Sequence, residues 1–184
     1  DDGTVVALRA DDGLPVWEAA VAEPEGRSEL ERLVDIDGDL AVGADAVYAT
    51  SVRGITAAIS IINGQIGWTR DNGGANALDL TADGVLLADQ GGTLWSIDRV
   101  SGSALWRQEA LLRRQPTGAA LAGELAVVGD LEGYLHWFDP RSGELKARER
   151  VGNARILTTP LVSPTGTVIA VTDEGRLAAF RILE

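Results

Sequence analysis

The chain has no cysteine. That one absence excludes disulfides, thiolate metal sites and cysteine nucleophiles together. An oxidising compartment is tolerated, though not specified. Histidine is nearly missing as well: His136 is the only one. With no cysteine or histidine near it in sequence it makes a poor metal site, and we expect an ordinary packed residue. Positive charge is scarce. There are 16 Lys and Arg against 28 Asp and Glu, a net charge of −12 and a pI near 4.5. Such a surface repels phosphate backbones and anionic lipid, so nucleic acid is not an expected partner. No apolar run approaches the roughly 20 residues that span a bilayer as a helix. Asp1 and Asp2 are the wrong chemistry for the basic start of a signal peptide, as they would be in a mature or truncated chain. No nucleophile elbow, phosphate-binding loop or dinucleotide fingerprint is present, so no catalytic residue is assigned.

What is there is a repeat. Five glycines open apolar runs: Gly3, Gly54, Gly92, Gly133 and Gly175. Five positions on, the residue is always large and apolar: Leu8, Ile59, Ile97, Phe138 and Phe180. Ten positions on, four copies have a second glycine: Gly13, Gly64, Gly102 and Gly143. Fourteen positions on stand Trp17, Trp68 and Trp106, while the fourth copy has Ala147. The opening glycines lie 51, 38, 41 and 42 residues apart.

Each unit reads as a strand, a tight turn and a second strand carrying the tryptophan. The pairs Asp12-Gly13, Asn63-Gly64, Ser101-Gly102 and Ser142-Gly143 are turn dipeptides whose glycine supplies a positive φ. Two further apolar runs precede each of the four later opening glycines, such as Val85–Ala88 and Ala77–Leu80 before Gly92. Four strands per period of about 40 residues is the signature of a β-propeller blade. A β-sandwich has no reason to hold glycine, apolar residue, glycine and tryptophan in one register. We expect a blade end at 1–21, an inter-blade insert at 22–37, blades at 38–74, 75–114 and 115–152, and an incomplete blade at 153–184. Both ends supply a third strand, so they do not complement each other. A stretch of a longer propeller, of more than four blades, is expected.

One segment breaks the pattern. Residues 26–39 read GRSELERLVDIDGD, with seven charged side chains, and they account for the long first interval. Ser28 and Glu31 have capping-box spacing, and Leu30, Leu33 and Val34 follow helical spacing, so one short helical turn is plausible. Asp35, Asp37 and Asp39 alternate, which exposes a row of carboxylates if the segment is extended. A calcium loop is excluded, because the positions needing glycine and glutamate are Leu40 and Ala46. Trp95 and Trp137 are expected in the core, and Asp98 and Asp139 as turn caps.

The string IDRVSGSALW resembles the tryptophan-docking repeat of pyrroloquinoline-quinone-like propellers. In those proteins the tryptophan packs on the neighbouring blade, a role that Trp17, Trp68 and Trp106 fit. Ala147 departs from it, so that contact must be filled differently. SELERLVDIDGDL, followed by GDLEGYLHWFDPRSGEL, resembles the BamB family of outer-membrane assembly lipoproteins, over essentially the whole chain and the C-terminal half of that family's length. The resemblance implies an all-β fold: a partial β-propeller, about four of eight four-stranded antiparallel blades. It implies a non-enzymatic scaffold without cofactor or metal, in the periplasm at the inner face of the outer membrane of a Gram-negative bacterium. A lipid on an upstream cysteine, absent here, would be its only membrane link. The implied partner is the central barrel-assembly protein, through its periplasmic repeats, with unfolded outer-membrane protein clients as a further class. The family's partner-binding acidic pair matches Asp35 and Asp37, and Leu30, Arg32 and Leu33 accompany it. A second, leucine-arginine element of that interface falls upstream of Asp1. The family leaves Asp39 unmatched.

The competing reading is a quinone-dependent dehydrogenase or another ligand-binding propeller, since the tryptophan repeat is shared. Those enzymes set a base and metal-ligating carboxylates or amides around the axis, and many add an adjacent cysteine pair. Cysteine is missing here and no motif matches the other groups. Titrating the protein with pyrroloquinoline quinone and calcium should therefore leave the quinone absorbance unchanged; a calcium-dependent spectral shift would overturn the non-enzymatic reading.

Overall fold

The structure is a computed structural model that describes residues 3–22, 35–36, 38–74 and 76–182. Among the described residues, seventeen strands form five sheets. The first sheet pairs β1 (Thr4–Leu8) with β2 (Pro15–Ala20). The second runs in order through β3 (Ala41–Val42), β4 (Ala46–Thr50), β5 (Thr56–Ser60) and β6 (Ile66–Arg70). The third contains β7 (Asp79–Leu80), β8 (Gly84–Ala88), β9 (Leu94–Asp98) and β10 (Ala104–Gln108). The fourth contains β11 (Ala120–Ala122), β12 (Leu125–Gly129), β13 (Tyr134–Phe138) and β14 (Leu145–Arg150). The last has β15 (Leu161–Val162), β16 (Thr167–Val171) and β17 (Leu177–Arg181). Every pairing is antiparallel and sequential. Among the described residues there is no helix. This is the partial propeller that the repeat predicts. The helical turn expected near Ser28 and Glu31 lies outside the described residues.

The first strands of the third, fourth and last sheets are short and stand together. β11 touches both β7 and β15, and the Leu121 N–H donates to Asp79 Oδ2 at 2.7 Å. The core is divided into four layers, each between one sheet and the next. The layer between the first and second sheets contains Val5, Ala19, Ala49, Ala57 and Ile59. The layer between the third and fourth contains Leu86, Leu94, Val128 and Phe138. The middle strands are buried on both faces; β8 has no exposed residue. That explains why its sequence GVLLA is continuously apolar rather than alternating.

Gly54, Gly92, Gly133 and Gly175 each close the turn between the second and third strands of their sheet. The residue three places before each caps that turn. Ser51, Asp89, Asp130 and Thr172 accept with their side chains from the N–H groups of Ile55, Thr93, Tyr134 and Arg176. The following hairpin differs from a two-residue turn. Gly64 N–H donates to Ser60 O and Gly102 N–H to Asp98 O, both at 2.9 Å, so the glycine ends a longer turn. The register slips beside every one of these hairpins, a bulge that offsets the longer loop.

These turn glycines are where the tryptophans land. Trp17 Nε1 donates to Ile61 O at 3.0 Å, Trp68 Nε1 to Arg99 O at 3.1 Å and Trp106 Nε1 to Pro140 O at 2.9 Å. Each acceptor belongs to the hairpin of the next sheet. The indole rests on that hairpin's glycine: a Cβ on Gly64 would stand 2.8 Å from Trp17 Cε3, and one on Gly143 2.6 Å from Trp106 Cε3. Gly64, Gly102 and Gly143 also have φ near +70°, the left-handed region. Two independent constraints therefore demand glycine there.

The fourth sheet solves the same problem in reverse. Across the outer strand pair, Trp17 faces Ala7, Trp68 faces Ala58 and Trp106 faces Ser96. In the fourth sheet Trp137 faces Ala147. The large and small residues have exchanged strands, which conserves the volume of the pair. Trp137 is buried, and its ring meets Phe180 of the last sheet edge-on, centroids 5.9 Å apart. The exchange has a cost. Trp137 Nε1 is buried with no acceptor among the described residues, where Trp106 Nε1 has a carbonyl. Trp106→Ala should destabilise the full-length protein by about 2–3 kcal/mol, somewhat under the usual value for a fully buried tryptophan. The swap Trp137→Ala/Ala147→Trp should be more stable in urea than either single variant; strictly additive effects would show that the two positions do not share one space.

Candidate partner-binding site

Of the acidic insert, Asp35 and Ile36 are described, with Gly38 and Asp39 beyond them. Asp37, Leu30, Arg32 and Leu33 lie outside the described residues. Asp35 is half-buried. Its carbonyl accepts from Val52 N–H at 2.9 Å, and its Oδ1 from Ile36 N–H at 3.1 Å. Ile36 packs against the layer of Val5, Ala49 and Ile59. The C-terminal end of the insert is thus pinned between the first and second sheets, by one apolar side chain and one backbone bond. Asp39 is exposed. The turn that holds Asp35 continues sideways, for the Gln90 side-chain amide donates to Val52 O.

The largest concentration of buried charge lies elsewhere, around Asp130. This residue is fully buried, as the cap of the β12–β13 turn. Its Oδ1 accepts from the N–H groups of Glu132 and Tyr134, both at 2.9 Å. Its Oδ2 accepts from Arg114 Nε and His136 Nε2, both at 2.7 Å. Arg114 also reaches Glu132 at 2.9 Å. Burial by itself pushes the Asp130 carboxyl up. The hydrogen bonds from His136, from the Tyr134 backbone and from Arg114 outweigh it and hold the pKa at about 2. His136 is buried mid-strand, as sequence reasoning expects for a packed residue. Its carboxylate partner was missed, although Asp130 and His136 flank Gly133 symmetrically at three residues on either side. Their convergence follows from the hairpin, which brings the end of β12 beside β13.

The remaining sequence candidates are turn and core residues. Asp98 Oδ1 accepts from the Ser101 N–H at 2.7 Å and Asp139 Oδ1 from the Arg141 N–H at 2.8 Å. Those backbone bonds lower both carboxyls from their ordinary range. Trp95 Nε1 donates to Asp89 Oδ2 at 2.8 Å, next to a core layer. No group of three or more histidine, cysteine or acidic residues that could hold a metal occurs among the described residues.

Indole contacts between successive four-stranded sheets define the class first: a β-propeller built of pyrroloquinoline-quinone-like repeats. The family described as outer membrane protein assembly factor BamB matches residues 1–108 and 74–184. The chain belongs to the BamB family. It is 44% identical over its full length to the outer membrane protein assembly factor BamB of Xanthomonas campestris, covering 45% of that protein. To the Pseudomonas aeruginosa protein of the same name it is 37% identical, over 98% of this chain and 47% of the relative. The crystal structure of BamB from Moraxella catarrhalis superposes with a TM-score of 0.90 at 26% identity, over 98% of this chain and 54% of that one. The chain thus spans about half the length of the curated relatives it matches.

The Asp130 cluster generates a pH prediction. A carboxyl held at about 2, against an ordinary 3.8, stabilises the fold above pH 4. That contribution, about 2 kcal/mol, is lost as pH falls from about 4 to about 2. Asp130→Asn should remove this acid limb from urea-unfolding midpoints measured against pH in the full-length protein. At pH 7 it should cost about 3 kcal/mol by leaving Arg114 without its buried partner. An unchanged acid limb would show that other carboxylates dominate it.

Proposed function

We propose that the chain is part of a non-enzymatic scaffold for outer-membrane protein assembly, and that its acidic insert docks the periplasmic repeat domains of the central barrel-assembly protein. The reading rests on family membership and on one structural observation. A single connection between sheets is lengthened and acidic, and its end at Asp35–Ile36 is anchored to the propeller by Val52 and by an apolar layer. A segment tethered in this way presents its carboxylates at a defined place. Asp35 and Asp37 form the centre, with Arg32, Leu30 and Leu33 beside them, a mixture suited to a charged rim around an apolar anchor. Asp35 and Asp37 would pair with basic side chains or backbone amides of the partner. The protein would act in the periplasm at the inner face of the outer membrane, held there by a lipid anchor on the full-length molecule. Unfolded outer-membrane proteins are a further class of partner for such a scaffold.

Asp35→Ala/Asp37→Ala in the full-length protein should leave the thermal midpoint nearly unchanged, since a surface segment carries little packing energy. Affinity for the isolated periplasmic repeats, measured by calorimetry, should fall by about 1–3 kcal/mol because partner charges lose their counterparts. The parent's affinity should decline as salt rises. Equal affinities of parent and variant, with the fold verified, would reduce the insert to a solvated connector.

A further inference from the structure

The fourth sheet carries a second charged arrangement, on a different strand from any site above. β14 is the outermost strand of its sheet, and all of its residues are exposed. Arg148 and Arg150 are alternate residues along it and share one face, with Lys146 at the bulge before them. In register, Arg148 stands beside His136 and Arg150 beside Tyr134. The guanidinium carbons of Arg148 and Arg150 lie 4.8 and 5.0 Å from the centre of the Tyr134 ring, and that of Arg114 lies 5.8 Å away. Three positive groups thus crowd one ring in a chain of net charge −12.

Their compensation is unequal. Arg114 is neutralised by Asp130 at 2.6 Å and Glu132 at 2.9 Å, and Lys146 by Glu144 at 2.6 Å. Arg150 Nε reaches only a neutral acceptor, the Gly152 carbonyl, at 2.9 Å. Arg148 makes no ion pair among the described residues. Two guanidinium groups on an exposed strand therefore have no carboxylate of their own among the described residues. The aromatic ring holds them in place by cation–π attraction. The ring is itself fixed, because the buried Asp130 receives the Tyr134 N–H and pins Arg114 against it.

We infer that Tyr134, Arg148 and Arg150 form a binding site for an extended acidic segment of a partner protein, with carboxylates at alternate positions. Alternate side chains on an extended strand are about 6.6–6.8 Å apart on both sides of such a contact, so an acidic–any–acidic segment matches the arginine spacing. Each guanidinium offers a planar fork that a carboxylate fills with two hydrogen bonds. Charge complementarity selects the occupant. The arginines are already stacked, so less side-chain freedom is lost on binding than for free surface arginines. The site is separate from the acidic insert and calls for partner chemistry of opposite sign.

The test uses the full-length protein and a fluorescein-labelled synthetic peptide with glutamate at alternate positions, read by fluorescence anisotropy. The parent should bind it. Arg148→Gln/Arg150→Gln, with circular dichroism and thermal midpoint unchanged, should bind at least about tenfold more weakly. Arg141→Gln, at an exposed arginine paired with Glu124, should bind like the parent. Added salt should weaken the parent more than the double variant. Failure of the parent to bind, equal binding by the double variant, or equal binding of a peptide with glutamine in place of glutamate would overturn the inference. So would capture of phosphatidylglycerol vesicles through Arg148 and Arg150 without peptide binding, which would assign the arginines to a lipid surface. Self-association of the parent that is lost in the double variant, again without peptide binding, would assign them to a second copy.

Discussion

The contact of an indole with the turn glycine of the next sheet is the constraint around which the structure is organised. A four-stranded antiparallel sheet has two faces to bury, and each face here is covered by another sheet of the same kind. Apolar layers supply that burial, but apolar layers slide. The tryptophan fixes their relative position, because its N–H needs one particular carbonyl and its ring fits only over a residue without Cβ. The hairpin answers both demands at once. A positive φ at the glycine ends the turn and turns the preceding carbonyls toward the neighbour. Local turn chemistry and packing between sheets are therefore one requirement, and the tryptophan and the second glycine recur together for that reason.

The fourth sheet shows how much freedom the constraint leaves. Trp137 and Ala147 occupy the space that the other sheets fill from the opposite strand. Volume across the pair is maintained, while the hydrogen bond is lost and Trp137 Nε1 has no acceptor among the described residues. This sheet also holds the densest polar cluster. Asp130 collects two backbone donors, an arginine and a histidine, and so remains ionised although buried. The second and last sheets use serine and threonine as neutral caps in the same place, while the fully buried Asp130 carboxylate has those extra donors to offset its burial. The same arginine then packs on the Tyr134 ring, around which the guanidinium groups of Arg148 and Arg150 also gather.

The acidic insert and the arginine pair make the surface electrostatically two-sided. The described end of the acidic connection carries the half-buried Asp35 and the exposed Asp39, and is anchored through Ile36 and Val52. The outer strand of another sheet presents uncompensated guanidinium groups. A propeller suits such a division, because its loops and outer strands can change in charge while the layers between sheets remain apolar.

By itself the sequence determined the fold class, the strand order and the places of the turns. These depend on local rules: glycine where φ is positive, apolar runs where both faces are buried, and a spacing that repeats because each unit meets the same neighbours. It also marked Asp98 and Asp139 as caps, since a carboxylate two or three residues before a turn N–H can reach it whatever the rest of the chain does. Tertiary structure alone decided which residues face each other across strands and between sheets. That Trp137 and Ala147 exchange places follows from their facing each other across the pair, which the bulged register decides. The gathering of Arg114, Asp130 and His136 needed a loop, a turn and a strand to meet, and the three guanidinium groups around Tyr134 needed the pairing of β13 with β14. Such contacts depend on distances between residues far apart in the chain, and those distances exist only once the hairpins have closed.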